Sequence, residues 1–426
     1  MKRIVISTFG SFGDVHPYVA LALELKRRGH RPVVATSGVY REKMEAVGLE
    51  LHPVRPDLPS HEQPDEVSRM VVDFIDRRRG TERIFRWIAS HLRDAYDDTL
   101  AAAGGADLLL THPLPFVGPL VAEKTGVLWV SSVLAPLSFF SAYDLPVVPQ
   151  FPALHGLLSR SRALSRVFVG LVHAHGRRLV APVERLRAEV GLPRGGNAIF
   201  EGQHSPTLVL ALFSKILGEP QPDWPPQARV TGFCFYDRRD FAGDSGPPAP
   251  ELLNFLDAGP PPVVFTLGSS AFWAAENFYR DSLAACRALG RRALLLIGDA
   301  RNRPSDLPGW AAAFDYAPYG EVLPRAAAVV HHGGVGTTGQ ALRAGRPQLV
   351  VPFSHDQFDN AMRAGRAGCA RTLPRDKYDA RGAERELRRL LENPSYAERA
   401  AAAARVVRGE DGVKTACDLI EEVLGR

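Results

Sequence analysis

An alternation that runs twice along the chain limits its fold more than any other feature. "RIVIST" is a short β-rich run, "HPYVALALELKRRGH" has helical spacing and stops at Gly29, "RPVVATS" is a second strand, and "VYREKMEAVG" is a second helix stopped by Gly48. "ADLLLTHP" and "GVLWVSSV" read as further buried strands, with the helix "FVGPLVAEKTG" between them. Short apolar strands alternating with helices predict a parallel sheet with crossover helices. After Pro262 the pattern restarts: strand "PVVFTLGSS", helix "DSLAACRALG", strand "RRALLLIGD", strand "AAAVVHH", helix "TTGQALRAG" and strand "PQLVVPF", with "FDYAPYGEVLPR" as an irregular piece. The expected class is α/β, with two doubly wound domains facing across a cleft. In such sheets ligands bind beyond the carboxyl ends of the strands, where the Gly-rich turns after "RIVISTF", "VVFTL" and "AAVVHH" fall.

The expected boundaries follow from breaks in this pattern. Residues 1–217 make a first domain and 263–405 a second. Between them, the Pro/Gly-rich stretches "GEPQPDWPPQ" and "GDSGPPAPELLNFLDAGPPP" bracket "ARVTGF", so 218–262 reads as a linker carrying the first strand of the second domain. Residues 406–426 read as a terminal helix returning to the first domain. A chain of 426 residues is too long for one ordinary core, which agrees with two.

Composition excludes several classes. No window holds the ~20 apolar residues of a spanning helix. Gly10, Gly13, Asp14 and Pro17 break the apolar run that a secretory signal needs, so the expected location is cytoplasmic. Cys234, Cys286, Cys369 and Cys417 lack paired spacing, which argues against a zinc site or a disulfide framework. The net charge of +5 is modest, and its arginines are interspersed with acids as on solvated helix faces, so nucleic acid is not an expected partner. Peripheral association with an anionic membrane surface stays open, as does the oligomeric state.

The stretch "VVHHGGVGTTGQAL", Val329 to Leu342, passes from strand to helix through four glycines. Glycines there tolerate positive φ and let a ligand touch the backbone. The following helix points N–H groups and the positive end of its dipole at the turn, which suits phosphate. Thr337 and Thr338 can cap the helix or donate hydroxyls, and a histidine at the strand end adds a donor. A Walker A loop is excluded, because no Lys is present. Gly334, Gly336 and Gly339 match the dinucleotide fingerprint, with Asp356 following. An NAD(P)- or flavin-dependent oxidoreductase is therefore one rival reading, although the match sits late in its domain. His331 and His332 adjoin on a strand with no Cys/His/Asp spacing to complete a site, so no metal is expected.

"VVFTLGSS", "YAPYGEVLP" and "HHGGVGTTGQALRAGRPQLVVPFSHDQFDN", in that order and spacing, together with "GSFGDVHPYVALALELKRRGH", resemble the GT-B glycosyltransferases of family 1. The likeness is nearest to the bacterial branch of rhamnolipid rhamnosyltransferases, sterol glucosyltransferases and antibiotic glycosyltransferases. It implies two Rossmann-like domains, the first taking an acceptor and the second a nucleotide sugar. The implied activity is inverting, metal-independent transfer of a hexose from a UDP- or dTDP-sugar to a small-molecule hydroxyl, with no resident cofactor. A GT-B protein that binds a nucleotide sugar without catalysis is a further alternative. By this resemblance His332 contacts the donor diphosphate, and Gly334, Gly336, Thr337 and Thr338 form the phosphate-cradling turn. Gly268 and Ser269 approach the phosphates from the side, and Gly13 of the first loop joins the donor set. Tyr316 stands where many relatives place a base-stacking Trp, and Ala317 where the backbone reads the base. Asp356 and Gln357 hold sugar hydroxyls.

Sugar transfer to a hydroxyl needs a base that is unprotonated near neutral pH. The family's usual catalytic histidine aligns with Asp14, and relatives with "GD" here are read as using the Asp. His16, two residues on, has the better intrinsic pKa for the task. His112, after the strand "LLLT", is a third candidate, with Asp14 orienting it. For the acceptor, "SSVLAPLSFFSAYDLPVVPQFPALHGLL" is apolar, Pro-broken and lies just past a strand end. Leu134, Phe139, Phe140 and Tyr143, with Leu137 and Phe151, are expected to wall a pocket for a hydrophobic alcohol such as a lipid, sterol, polyketide or phenolic.

Overall fold

The computed structural model describes residues 1–60, 63–237 and 249–425. Seven parallel strands form the first sheet: β1 (Arg3–Ser7), β2 (Arg31–Thr36), β3 (Glu50–Pro53), β4 (Leu108–Thr111), β5 (Leu128–Val133), β6 (Val209–Ala211) and β7 (Ala228–Val230), in the order β3-β2-β1-β4-β5-β6-β7. The second sheet has β8 (Val263–Thr266), β9 (Ala293–Leu296), β10 (Ala311–Phe314), β11 (Ala328–His331), β12 (Gln348–Val350) and β13 (Ala370–Thr372), in the order β10-β9-β8-β11-β12-β13. The central strands are buried along their length, as expected where helices cover both faces of a parallel sheet.

In both sheets the strand order reverses beside the first strand, between β1 and β4 and between β8 and β11. At such a switch point neighbouring crossover connections leave in opposite directions and open a crevice. The loops after β1, β4, β8 and β11 therefore supply the natural ligand sites.

Two readings of the chain need correction. "ARVTGF" does not open the second domain: its Ala228–Val230 pairs in parallel with β6 as the seventh strand of the first sheet. Flanking prolines mark this piece as a linker, but which sheet edge it joins is a tertiary matter. Residues 238–248 of the expected linker lie outside the described residues. The second correction is β10, a strand the sequence reading did not assign, which ends at Phe314 where the stretch taken as irregular begins; its three alanines carry little strand preference of their own.

The terminal helix Gly412–Leu424 lies on the first domain. Ala416, Cys417, Ile420 and Val423 share a core cluster with Leu21 and Leu25. Arg28 reaches Asp418 at 2.7 Å and Glu421 at 2.6 Å, and His30 reaches Glu421 at 2.9 Å. The chain thus crosses between the domains twice, and the crossings touch. A Cβ on Gly232 would lie 2.8 Å from Cβ of Glu410, and one on Gly412 would meet the Phe233 carbonyl. Phe213, Trp224, Leu342, Ala403 and Val407 fill a common apolar cluster beside these crossings.

Candidate active site

The loop after β1 enters the helix Phe12–Arg27 through a capping box. Ser11 N–H donates to Asp14 Oδ2 at 2.8 Å and Ser11 Oγ–H to the same oxygen at 3.2 Å, while Gly13 N–H donates back to Ser11 Oγ. Gly10, at φ +129°, leaves room for this carboxylate, since a Cβ there would collide with it. Burial pushes the Asp14 carboxyl up to about 6 against the pull of the Ser11 bonds. Both of those bonds fall on Oδ2, so the side chain is fixed by one oxygen and offers the second.

The two histidines proposed beside it are placed differently. The His16 ring packs between Phe12 and Tyr236, at 5.3 Å from each, and burial with nearby Lys43 lowers it to about 3. His112 accepts from Leu114 N–H through Nδ1 at 3.2 Å and meets Tyr18 edge-on, and burial lowers it to about 4. Neither is hydrogen-bonded to Asp14 among the described residues, so the expected Asp14–His112 pairing is not formed.

Across the cleft, the two histidines of β11 divide as their alternation requires. His331 points into the core, its Nε2 on Gln348 Oε1 at 2.9 Å and its Nδ1 accepting from Gly333 N–H at 3.1 Å. His332 lies against two bare backbones: a Cβ on either Gly268 or Gly334 would collide with its ring. Its Nδ1 is buried with no partner among the described residues. Burial, with His331 nearby, lowers it to about 3, so the ring is neutral and acts as a hydrogen-bonding group. Gly334 caps the helix Val335–Ala344 with no side-chain bond, and Gly336 faces open space. Thr338 is not free for a ligand: its hydroxyl donates to the Gly334 carbonyl at 3.0 Å. Thr337 reaches Tyr319, whose hydroxyl also meets Thr266 Oγ1 at 2.8 Å.

Asp356 and Gln357 start the next helix, Gln357–Arg366. Asp356 Oδ2 accepts from Asn360 Nδ2 at 2.7 Å, and Gln357 Oε1 accepts from Phe353 and Ser354 N–H at 2.8 and 3.1 Å. One carboxylate oxygen and one amide NH2 are left side by side, an acceptor and a donor. Burial pushes Asp356 up to about 7, and repulsion from Asp14 adds to it, which places the two carboxylates within each other's field. Ser269 Oγ meets Ser11 Oγ at 3.5 Å, so the loops after β1 and β8 face one another, and Thr81 Oγ1 on the helix Gly80–Ala89 meets His355 Nδ1 at 3.2 Å. Tyr316 is half-buried and its hydroxyl donates to the Asp237 carbonyl at 3.3 Å; Ala317 beside it is buried.

The expected acceptor wall is corrected in part. Leu134 belongs to the core cluster under the first sheet, and Phe139 stacks on Trp224 at 4.0 Å within another. Apolar residues of an irregular segment bury like any others once a partner is in reach, and Trp224 is far away in sequence. Phe140 and Tyr143 remain half-exposed: Phe140 meets Phe200 edge-on, and Tyr143 lies under Arg162. The sequence reading also missed Asn360 and Arg363. Asn360 joins Asp356 to the Gly333 carbonyl (2.9 Å). Fully buried Arg363 bonds Asp359 at 2.7 Å, the Leu217 carbonyl at 2.9 Å, and Asp144, tying the acceptor-side segment to the helix of Asp356. The four-residue spacing of Asp356 and Asn360 was the one available signal.

Comparison with known proteins fits this geometry. The glycosyltransferase family 28 N-terminal domain model matches residues 4–137, and the erythromycin biosynthesis protein CIII-like C-terminal domain model matches residues 292–410. The chain is 34% identical to the O-mycaminosyltylonolide 6-deoxyallosyltransferase of Streptomyces fradiae, over 99% of this chain and 97% of that one. It is 27% identical to a sterol 3-beta-glucosyltransferase of Neurospora crassa, over 98% of this chain but 27% of that longer protein. The solved structure of the glycosyltransferase VinC in complex with dTDP shares the fold, with a TM-score of 0.69, 20% identity and 100% coverage of both chains. The oxidoreductase and non-catalytic readings are set aside by these matches. A relative so similar along the full length, on a fold of two Rossmann-like domains meeting at their switch points, places the chain in the GT-B glycosyltransferases of family 1, as a glycosyltransferase.

Proposed function

We propose that the enzyme transfers a hexose, with inversion and without a metal or resident cofactor, from a dTDP- or UDP-sugar to a hydroxyl of an apolar small molecule. The observation that carries this reading is the pairing across the cleft: a half-held carboxylate, Asp14, opposite a neutral His332 set beside an uncapped helix start. Asp14 Oδ1 takes the acceptor's hydroxyl proton as the oxygen attacks the anomeric carbon. The bond from that carbon to the diphosphate oxygen breaks on the opposite face, and the diphosphate leaves with the electron pair. The N–H groups at the start of Val335–Ala344 and the His332 ring receive its charge. Asp356 and Gln357 hold sugar hydroxyls with their free oxygen and amide.

A macrolide or sterol-like acceptor is supported by the names of the relatives, and a dTDP donor by the VinC complex. Phe140 and Tyr143 are the residues left to meet an apolar acceptor. Four buried, unpaired cysteines fit a reducing cytosol. Calorimetric titration with dTDP and UDP, followed by an acceptor panel from glycerol to macrolides and sterols, tests the reading. Nucleotide binding, transfer to the apolar acceptors that survives chelation, and an inverted product anomer are expected. Preference for small hydrophilic acceptors, or a retained anomer, overturns it.

A further inference from the structure

Eight large apolar side chains are exposed among the described residues, and six of them lie between residues 151 and 171. Phe151, Leu154, Leu157, Leu164, Val167 and Leu171 are 43% to 65% exposed. The last three sit on the helix Arg162–Leu179 at spacings of three and four, so they share one face. Its opposite side, with buried Ser165 and Gly176 and half-buried Val169 and Val172, packs on the first domain. A helix already packed by one face normally presents a polar face to water, and on this one exposed Leu164, Val167 and Leu171 run as an apolar stripe among the arginines.

Charge separates the candidate occupants of this face. Between Asp144 and Glu184 there is no acidic residue, where the chain's average would give about four. The same stretch holds five arginines and three histidines: Arg160 and Arg162 stand at the start of the helix and Arg177 and Arg178 at its end. The acidic group paired with these is Glu201, 3.8 Å from His173 and 4.0 Å from Arg177. A second copy of the chain would set this cationic face against itself, since a two-fold interface pairs one patch with the same patch. No helix among the described residues is long and apolar enough to cross a membrane. An apolar stripe flanked by arginines, lying in the plane of the surface, suits lipid headgroups and the upper part of acyl chains.

We propose that the outward face of Arg162–Leu179, with the turn from Phe151 to Leu158, docks the enzyme on anionic lipid bilayers. The test is sedimentation of the full chain with vesicles of phosphatidylcholine alone or with about 30% phosphatidylglycerol. Binding should be about tenfold or more tighter to the anionic vesicles, and weaken as salt rises from about 0.05 to about 0.5 M. Leu164→Ser/Val167→Ser/Leu171→Ser should lower binding at least about tenfold with an unchanged circular dichroism melt, because the replaced groups face water. Arg160→Gln/Arg177→Gln/Arg178→Gln should remove the preference for anionic lipid. Three results overturn the proposal. One is equal binding of the parent to both vesicles, or none to either. Another is parent-like vesicle binding by the serine variant. The last is self-association by ultracentrifugation, or binding to polyglutamate without binding to vesicles, either one abolished in the serine variant.

Discussion

The two switch points are built alike and furnished in opposite ways. Each has a parallel strand, a glycine turn and the start of a helix that needs negative charge at its first N–H groups. At the first, the chain supplies that charge itself: Asp14 closes a capping box with Ser11. At the second, Gly334 supplies none, and a ring and bare backbone surround the helix start. A helix start beside its own carboxylate disfavours a second anion, and one left uncapped favours one. On the proposed mechanism this contrast assigns the base to the first site and the leaving diphosphate to the second.

The largest expected effect breaks the first half of this contrast. Asp14→Asn keeps the cap but cannot take a proton, so turnover should fall by about 10²–10⁴-fold while dTDP or UDP affinity stays within about twofold. Near-normal turnover would pass the role to His112. The second half is tested by His332→Ala, which removes the proposed donor to the diphosphate. By calorimetry, dTDP or UDP affinity should drop about tenfold to a hundredfold, from a loss of roughly 1.5–3 kcal/mol. An unchanged dissociation constant removes His332 from the site.

The pH dependence sharpens the comparison. As the proposed base, Asp14 would work only when ionised, and burial holds it near 6, so kcat/KM should fall about tenfold per unit below that pH and level off above it. A flat profile from pH 5 to 8, against a base near 6, excludes Asp14. The smallest effect is on stability. A carboxyl raised above its ordinary value binds its proton more tightly in the folded chain than in the unfolded one. Its contribution therefore falls as pH rises from about 4 through about 6. Asp14→Asn should melt a few degrees higher than the parent at pH 8, with the gap closing toward pH 4; a lower melting temperature at pH 8 would show that the Ser11 bonds to the charged carboxylate outweigh its burial.

Most of the fold was legible because buried parallel strands are written as short runs of Val, Ile and Leu. What escaped was written weakly or depended on distant partners. Ala311–Phe314 has the composition of a helix, and Ala228–Val230 could be assigned to a sheet only by its neighbour β6. The site divides the same way. His332, Gly334, Asp356 and Gln357 stand within one contiguous stretch and could be read together. The contacts of Ser11 with Ser269 and of Thr81 with His355 join residues more than 250 positions apart and carry no local sign. Phe139 shows the cost of such distance: irregular local sequence suggested a pocket, and Trp224 made it core.

The paired crossings at Gly232–Glu410 and Phe233–Gly412 act like two pins set in one side of a door. A body fastened to another at two adjacent points keeps rotation about the line through them and loses the other rotations. With Phe213, Trp224 and Val407 packed beside the pins, the cleft would open by swinging about this axis once the Arg363 bridge to Asp144 and the Leu217 carbonyl is released. Such a hinge returns the opposing loops to the same register on every closure, so that on the proposed mechanism Asp14 would approach the bound sugar along one path.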